Sequence, residues 1–150
     1  LTDVTWETCS LRKWLNETFM DSAFDDTEKT IVKESKVSTD SNPKYDTNPG
    51  NATTDKVFLL SINEANKYFG INKDWKCVPT EYAKANGADT DISSSNKKNG
   101  VPTCWWWLRS PGDIQARVAN VSYVGSVYSS GLSVTGDYEC VRPAVWVRTK

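Results

Sequence analysis

The sequence predicts an α+β fold, with helices packed against a small, twisted, mostly antiparallel sheet and long loops between elements. Three observations carry that expectation. Apolar residues recur at helical spacing from Leu11 to Phe19, a continuous apolar run fills Val57-Phe58-Leu59-Leu60, and three adjacent tryptophans stand in Cys104-Trp105-Trp106-Trp107-Leu108-Arg109-Ser110-Pro111-Gly112. Successive strand residues point to opposite faces, so three tryptophans in a row must bury aromatic surface on both sides, which predicts a central strand. Pro lacks the ladder donor, so Arg109-Ser110-Pro111-Gly112 is expected to end that strand in a turn.

At 150 residues and a net charge of −1, the chain suits one domain large enough to bury a core, and seven Trp with six Tyr supply apolar bulk to an otherwise polar sequence. No apolar run approaches the roughly 20 residues of a membrane-spanning helix, so no direct membrane insertion is expected. No basic-then-apolar leader opens the sequence. Lys and Arg are not clustered, which argues against a nucleic-acid partner.

Taken in order, Ser10 is placed to cap a helix whose Leu11, Trp14, Leu15 and Phe19 form one buried stripe. Asp25 or Asp26 caps a short helix through Ile31, and Val32 to Val37 alternates like an exposed strand. Residues 38–54, rich in Asn, Asp, Thr, Pro and Gly, read as a long solvated loop. Its Asp40, Asp46, Asn42, Asn48 and Asn51, with Asp55, offer oxygen ligands that suit calcium, but their spacing matches no known loop and the solvated reading is preferred. Val57 to Leu60 is a buried strand, and Ser61 with Glu64 forms a capping box opening a helix that runs through Phe69 and stops at Gly70. Pro79 at a first helical position and Gly87 past the end frame another helix, with Tyr82 and Ala85 on one face. Residues 88–103, with Ser93-Ser94-Ser95 and Asn99-Gly100, read as a mobile surface loop before the tryptophan strand. Beyond that strand, the parity of Ala116 and Val118 is broken at Val121, which predicts a β-bulge near Ala119-Asn120. Val141 to Val147 returns as a closing strand, with Pro143 at a bulge or an edge.

The chain has no histidine, which removes Ser-His-Asp triads, Cys-His pairs and any histidine base. The four cysteines, Cys9, Cys77, Cys104 and Cys140, lack CxxC spacing, so neither a zinc site nor any other cofactor is expected. Two disulfides in any of three pairings, or four buried thiols, both stay open. Between Asp113 and Glu139, tyrosines alternate with Ser, Gly and sparse Val. That composition suits a paratope-like binding face and equally a serine-rich meander of surface strands.

The run Trp106-Trp107-Leu108-Arg109-Ser110-Pro111-Gly112, followed by Val141-Arg142-Pro143-Ala144-Val145-Trp146, resembles an uncharacterised bacterial domain family common in gut Firmicutes. Thr5-Trp6-Glu7-Thr8-Cys9-Ser10-Leu11-Arg12-Lys13-Trp14-Leu15-Asn16, Asp55-Lys56-Val57-Phe58-Leu59-Leu60-Ser61 and Pro79-Thr80-Glu81-Tyr82-Ala83-Lys84-Ala85 extend the likeness over nearly the whole chain. The resemblance implies a C-type-lectin-like fold, the class that also holds formylglycine-generating enzymes and the variable proteins of diversity-generating retroelements. It implies a single such domain over residues 1–150, trimmed at its N-terminus, because the family has a strand-forming segment before the Thr-Trp-Glu-Thr motif. It also implies a Cys77–Cys104 pairing, both segments recurring together, with Cys140 incidental. The copper-binding cysteine pair of the formylglycine-generating enzymes has no motif counterpart at Cys104 and Cys140, and no enzymatic activity is expected.

In the family the segment matching 113–139 is rich in Asn around fixed Val and Gly positions. Adenine-directed mutagenesis of Asn codons yields Tyr, Ser, Thr, Asp, Gly, Ile, Leu and Arg. By that likeness Ile114, Arg117, Ser122, Tyr123, Tyr128, Ser129, Ser130, Leu132, Ser133, Thr135, Gly136, Asp137 and Tyr138 are diversified positions. Val118, Val121, Gly125, Val127, Gly131 and Val134 are scaffold. Gln115 and Glu139 depart from the pattern, since neither is reachable from an Asn codon. The expected function is recognition of a protein or glycan ligand, cell-surface or secreted rather than cytoplasmic, with Tyr123, Tyr128 and Tyr138 as anchors. The alternative is an invariant carbohydrate-binding or structural module. Arg109 and Arg142 are expected to be structural, stacked on Trp or bridging backbone carbonyls.

Overall fold

The computed structural model describes residues 2–70, 75–90 and 96–149. Local signals place most of the helices. α1 (Ser10–Trp14) is capped by Cys9, whose Sγ accepts from Arg12 N, so the expected cap falls one residue before Ser10. The helix then passes through a π-helical turn, Leu15–Phe19, into α2 (Met20–Ala23). A π turn closes i→i+5 bonds and advances the inward face by one residue. Leu15 and Met20 are therefore the buried pair, and Trp14, expected in the stripe, is 44% exposed. Asp25 caps α3 (Asp26–Ile31) in a full capping box with Glu28, and Ser61 does the same with Glu64 for α4 (Ile62–Phe69). Gly70 ends α4 at φ 53°. α5 (Glu81–Ala85) starts two residues later than Pro79 predicts, with Thr80 as its cap. Two residues rotate a helical face by roughly 200°. Ala83 therefore packs on the core, while Tyr82 and Ala85, expected on the buried face, stand exposed.

The strands form small antiparallel sheets, and the fold is α+β. The alternating run splits at Glu34 into β1 (Val32–Lys33) and β2 (Ser35–Val37), with both valines inward. β2 pairs with β3 (Thr53–Asp55), while β1 and β4 (Val57–Phe58) flank β10 (Ala144–Val147). β5 (Lys97–Lys98) and β6 (Val101–Pro102) make a hairpin where a loop was expected. Asn99 and Gly100 take φ 54° and 82°, the pair of positive angles a two-residue hairpin turn needs. Residues 93–95 lie outside the described residues.

β7 (Trp106–Pro111), β8 (Arg117–Val121) and β9 (Val127–Ser133) form the sheet that organises the rest. β7 stands at the ladder's edge, yet every residue in it is buried. Its open side is closed by Cys140, which donates to Trp105 O at 2.8 Å and accepts from Trp107 N at 3.0 Å, and by Leu60 O, which accepts from Arg109 N at 2.9 Å. Trp106 thus sits at the centre of the core, its Nε1 donating to Trp75 O at 2.8 Å, with Phe69 edge-on and the Arg142 guanidinium 4.9 Å from its ring centre. One hydrophobic cluster joins it to Leu15, Val57, Leu59, Leu108 and Val121. No helix among the described residues is long and apolar enough to cross a membrane.

The predicted register break falls at Ala119, but the extra residues lie on its neighbours rather than on β8. Residues 108–110 of β7 and residues 129–131 of β9 each stand opposite that single alanine. Gly131 makes the β9 bulge possible: at φ 75°, a Cβ there would sit 2.5 Å from Val118 O.

Candidate recognition surface

The stretch 113–139 is built from the β7–β8 turn, β8, the β8–β9 turn, β9 and the loop leading to Cys140. Gly112 opens it because the chain crosses β9 too closely for a side chain, a Cβ there meeting Ser130 O at 2.4 Å. The loop 38–54, expected to be solvated, is instead a strap that holds these strands. Asn42, 4% exposed, donates from Nδ2 to Pro111 O at 2.7 Å and to Ser129 O at 2.8 Å, tying the bulged ends of β7 and β9 together. Thr47 Oγ1 donates to Gly112 O at 2.8 Å, the Tyr45 hydroxyl meets Ser130 Oγ at 3.0 Å, and Gln115 Nε2 donates to Asn48 O at 2.9 Å. The strap's composition is polar because its side chains satisfy backbone carbonyls of the sheet.

Two of the carboxylates considered for calcium are taken by protein donors. Asp55 accepts from Trp6 Nε1 at 3.0 Å, Arg12 Nε at 2.7 Å and Thr53 Oγ1 at 2.5 Å, and Asp40 accepts from Ser61 Oγ at 2.5 Å. These carboxylates are occupied by protein donors in separate places. Arg109, 6% exposed, donates to Leu59 O and Ser38 O at 2.8 and 3.1 Å and pairs with Glu64, while Arg142 stacks on the Phe69 and Trp106 rings. Both arginines act structurally.

Of the expected contact positions, Ile114, Arg117, Tyr128, Thr135, Asp137 and Tyr138 are exposed. Tyr123, Ser130, Leu132 and Ser133 are half-buried, and Ser122 and Ser129 are buried. Ser122 Oγ accepts from Ser126 N at 3.3 Å, which fixes the β8–β9 turn. Two of the three tyrosines come together: Tyr123 and Tyr128 meet the Trp105 ring edge-on, at centroid distances of 5.5 and 6.1 Å. Tyr138 makes no ring contact with them, and its carbonyl accepts from Asp89 N at 2.9 Å. At the opposite end of β8 and β9, Arg117 pairs across with Ser133 and forms an ion pair with Asp113 at 3.0 Å, while Ser133 and Thr135 share a 2.8 Å hydrogen bond. Val118, Val134 and Thr135 also line a cavity of about 260 Å³ walled by Trp6, Leu59 and Trp107.

Trp105, just before β7, is the hub of the aromatic cluster. Two features escape sequence reasoning. Asn120 lies fully buried between its partners Trp107 and Tyr128, with neither amide atom hydrogen-bonded. Glu139 is buried beside Cys140, and no donor meets either carboxylate oxygen. Burial, reinforced by the nearby Asp137 and Asp89 charges, pushes its carboxyl up from 4.5 to about 7.

Fold and site together define an α+β domain that presents an aromatic and hydroxyl-bearing hairpin face from a strapped antiparallel sheet. The chain belongs to the family described as a domain of unknown function (DUF6273), whose model matches residues 1–149. No curated protein and no solved structure matches it.

Proposed function

We propose that this chain is a ligand-recognition domain on a C-type-lectin-like scaffold, whose stretch 113–139 is diversified by a diversity-generating retroelement. The observation that carries the reading is how burial divides that stretch. Of the positions expected to be fixed, Val121 and Gly131 are buried and Val118, Val127 and Val134 are half-buried, whereas the exposed side chains include Ile114, Arg117, Tyr128, Thr135, Asp137 and Tyr138. Substitution at the second set changes solvent-facing chemistry and leaves the core alone. Trp105, Tyr123 and Tyr128 form the aromatic centre of the face, and large aromatics of this kind dominate interface energetics. Arg117, Ser130, Ser133, Thr135 and Asp137 tune hydrogen bonding around it, with Ser122 and Ser129 shaping the backbone beneath. The ligand is a protein or glycan surface, bound outside the cytoplasm and without catalysis. The second reading, an invariant carbohydrate-binding module, draws on half-buried Trp105, an indole suited to stacking on a sugar.

The test places wild type and a Tyr123→Ala, Tyr128→Ala, Tyr138→Ala variant on protein and glycan arrays, with thermal melting as the fold control. Every spot captured by wild type is expected to lose at least about tenfold in signal, while melting stays within a few degrees. Retained capture by a folded variant overturns the assignment of the face.

A further inference from the structure

A cavity of about 260 Å³ opens at the end of β8 and β9 opposite the Tyr123 and Tyr128 rings. Separate stretches of the chain supply its wall: Trp6 before α1, Pro49 from the strap, Leu59 beyond β4, Trp107 from β7, Val118 from β8 and Val134 after β9. Depth and rim differ in chemistry. Trp6, Leu59, Trp107, Leu108 and Pro111 are buried, whereas the exposed lining residues, Thr2, Ser10, Asn48 and Thr135, are all polar. The cavity therefore has an apolar floor and a polar mouth, the usual make-up of a small-molecule site.

The polar side chains set deeper in the wall have their partners inside the protein. Trp6 Nε1 donates to Asp55 at 3.0 Å. Cys9, a thiol like Cys77, Cys104 and Cys140, donates to Trp6 O and accepts from Arg12 N. The Arg109 guanidinium donates to Leu59 O and Ser38 O and is paired with Glu64 and Asp40. A buried water needs roughly two to four polar partners, which this floor does not offer, so an apolar occupant gains more there than water does. Arg109 is the charged residue of the wall and is already neutralised, so no ionised ligand group finds a match in the floor. An apolar cavity of about 150 Å³ takes up benzene, and the larger volume here has room for a second fused ring. The indoles of Trp6 and Trp107 and the rings of Pro49 and Pro111 supply surfaces against which a flat ring packs.

We propose that this cavity binds a neutral, flat molecule of two fused rings, of the indole type, with its ring against Trp6 and Trp107 and its polar atom toward the mouth, where Asn48 and Thr135 stand. The site rests on the cavity and not on the recognition reading. Because Val134 and Thr135 belong to the 113–139 stretch, and Thr135 is hydrogen-bonded to Ser133 at 2.8 Å, an occupant also braces the Arg117–Ser133 end of that surface.

The test titrates the isotope-labelled protein with indole and follows its amide and tryptophan N–H resonances by NMR. Saturable shifts are expected at the Trp6 and Trp107 side chains and at Val118 and Val134, with half-saturation below about 1 mM. Val134→Phe, which fills the cavity from its wall, is expected to weaken binding at least about tenfold. Thr135→Trp, which covers the mouth from an exposed position, is expected to do the same and keeps the test decisive if Val134→Phe fails to fold. The Tyr123→Ala, Tyr128→Ala, Tyr138→Ala variant is expected to bind indole as wild type does, so lost array capture and lost indole binding report on separate claims. Shifts that rise without saturation, shifts centred on the exposed Tyr68–Trp146 pair, unchanged affinity in folded Thr135→Trp, or loss of binding in the folded tyrosine variant would each overturn the proposal.

Discussion

Replacing Glu139 with Gln converts a buried carboxyl into a neutral group of the same shape. The residue is 9% exposed, and burial, with the Asp137 and Asp89 charges nearby, raises its carboxyl to about 7 against 4.5 for a free side chain. Below 4.5 both folded and unfolded chains hold the proton, and the group contributes no pH dependence. Between 4.5 and 7 the unfolded chain releases the proton and the folded chain keeps it, so stability falls as pH rises. Above 7 the whole cost of a buried charge is present. At about 1.4 kcal/mol per pH unit of displacement, the full cost is about 3.5 kcal/mol, nearly all of it present at pH 8. Urea denaturation at pH 5 and pH 8 measures it. Glu139→Gln is expected to match wild type within about 1 kcal/mol at pH 5 and to exceed it by about 3 kcal/mol at pH 8. Cys77, whose thiol is lowered, acts in the opposite sense, adding stability as pH rises from about 6 in both proteins. An equal loss of stability from pH 5 to pH 8 in both proteins would refute the argument.

Two further predictions test how the surface is held. Asn42→Ala strands the Pro111 and Ser129 carbonyls and is expected to cost about 2–3 kcal/mol in chemical denaturation, with faster hydrogen exchange confined to the ends of β7 and β9. A loss below about 0.5 kcal/mol means the strap is dispensable. Gly131→Ala forces a Cβ onto Val118 O at positive φ and is expected to cost at least about 2 kcal/mol, whereas Gly87→Ala, with nothing within 4 Å, meets only the backbone strain.

Signals that act within four residues were legible in the sequence. The Ser61–Glu64 box, a cap at Asp25 or Asp26, the stop at Gly70 and the buried run from Val57 each depend on neighbours along the chain, and the structure has them, with Asp25 as the cap and Glu28 completing a box that was not expected. The π turn was not legible, because Leu11, Trp14, Leu15 and Phe19 fit an ordinary helix as written. The strap was hidden for a different reason: Asn42 and Thr47 bond to backbone carbonyls of Pro111, Ser129 and Gly112, and a backbone acceptor leaves no mark on the sequence. Of the three expected anchors, Tyr128 and Tyr138 are exposed and Tyr123 is half-buried. Ser122 and Ser129 have the same polar character as their exposed neighbours; Ser129 is buried where β9 bulges opposite Ala119, and Ser122 where the β8–β9 turn begins. Glu139 reads as surface by type, yet is buried beside Cys140.

The central claim is that 113–139 is a surface made to vary. Sequencing this locus across many cells of its source population and tabulating codons 113–139 tests it most directly. The account predicts substitutions restricted to adenines of a nearby, nearly identical repeat, concentrated at positions such as Ile114, Arg117, Tyr123, Tyr128, Asp137 and Tyr138, and sparing Val118, Val121, Gly125, Val127 and Gly131. Uniformly silent variation across the stretch would contradict it and leave an invariant carbohydrate-binding or structural domain.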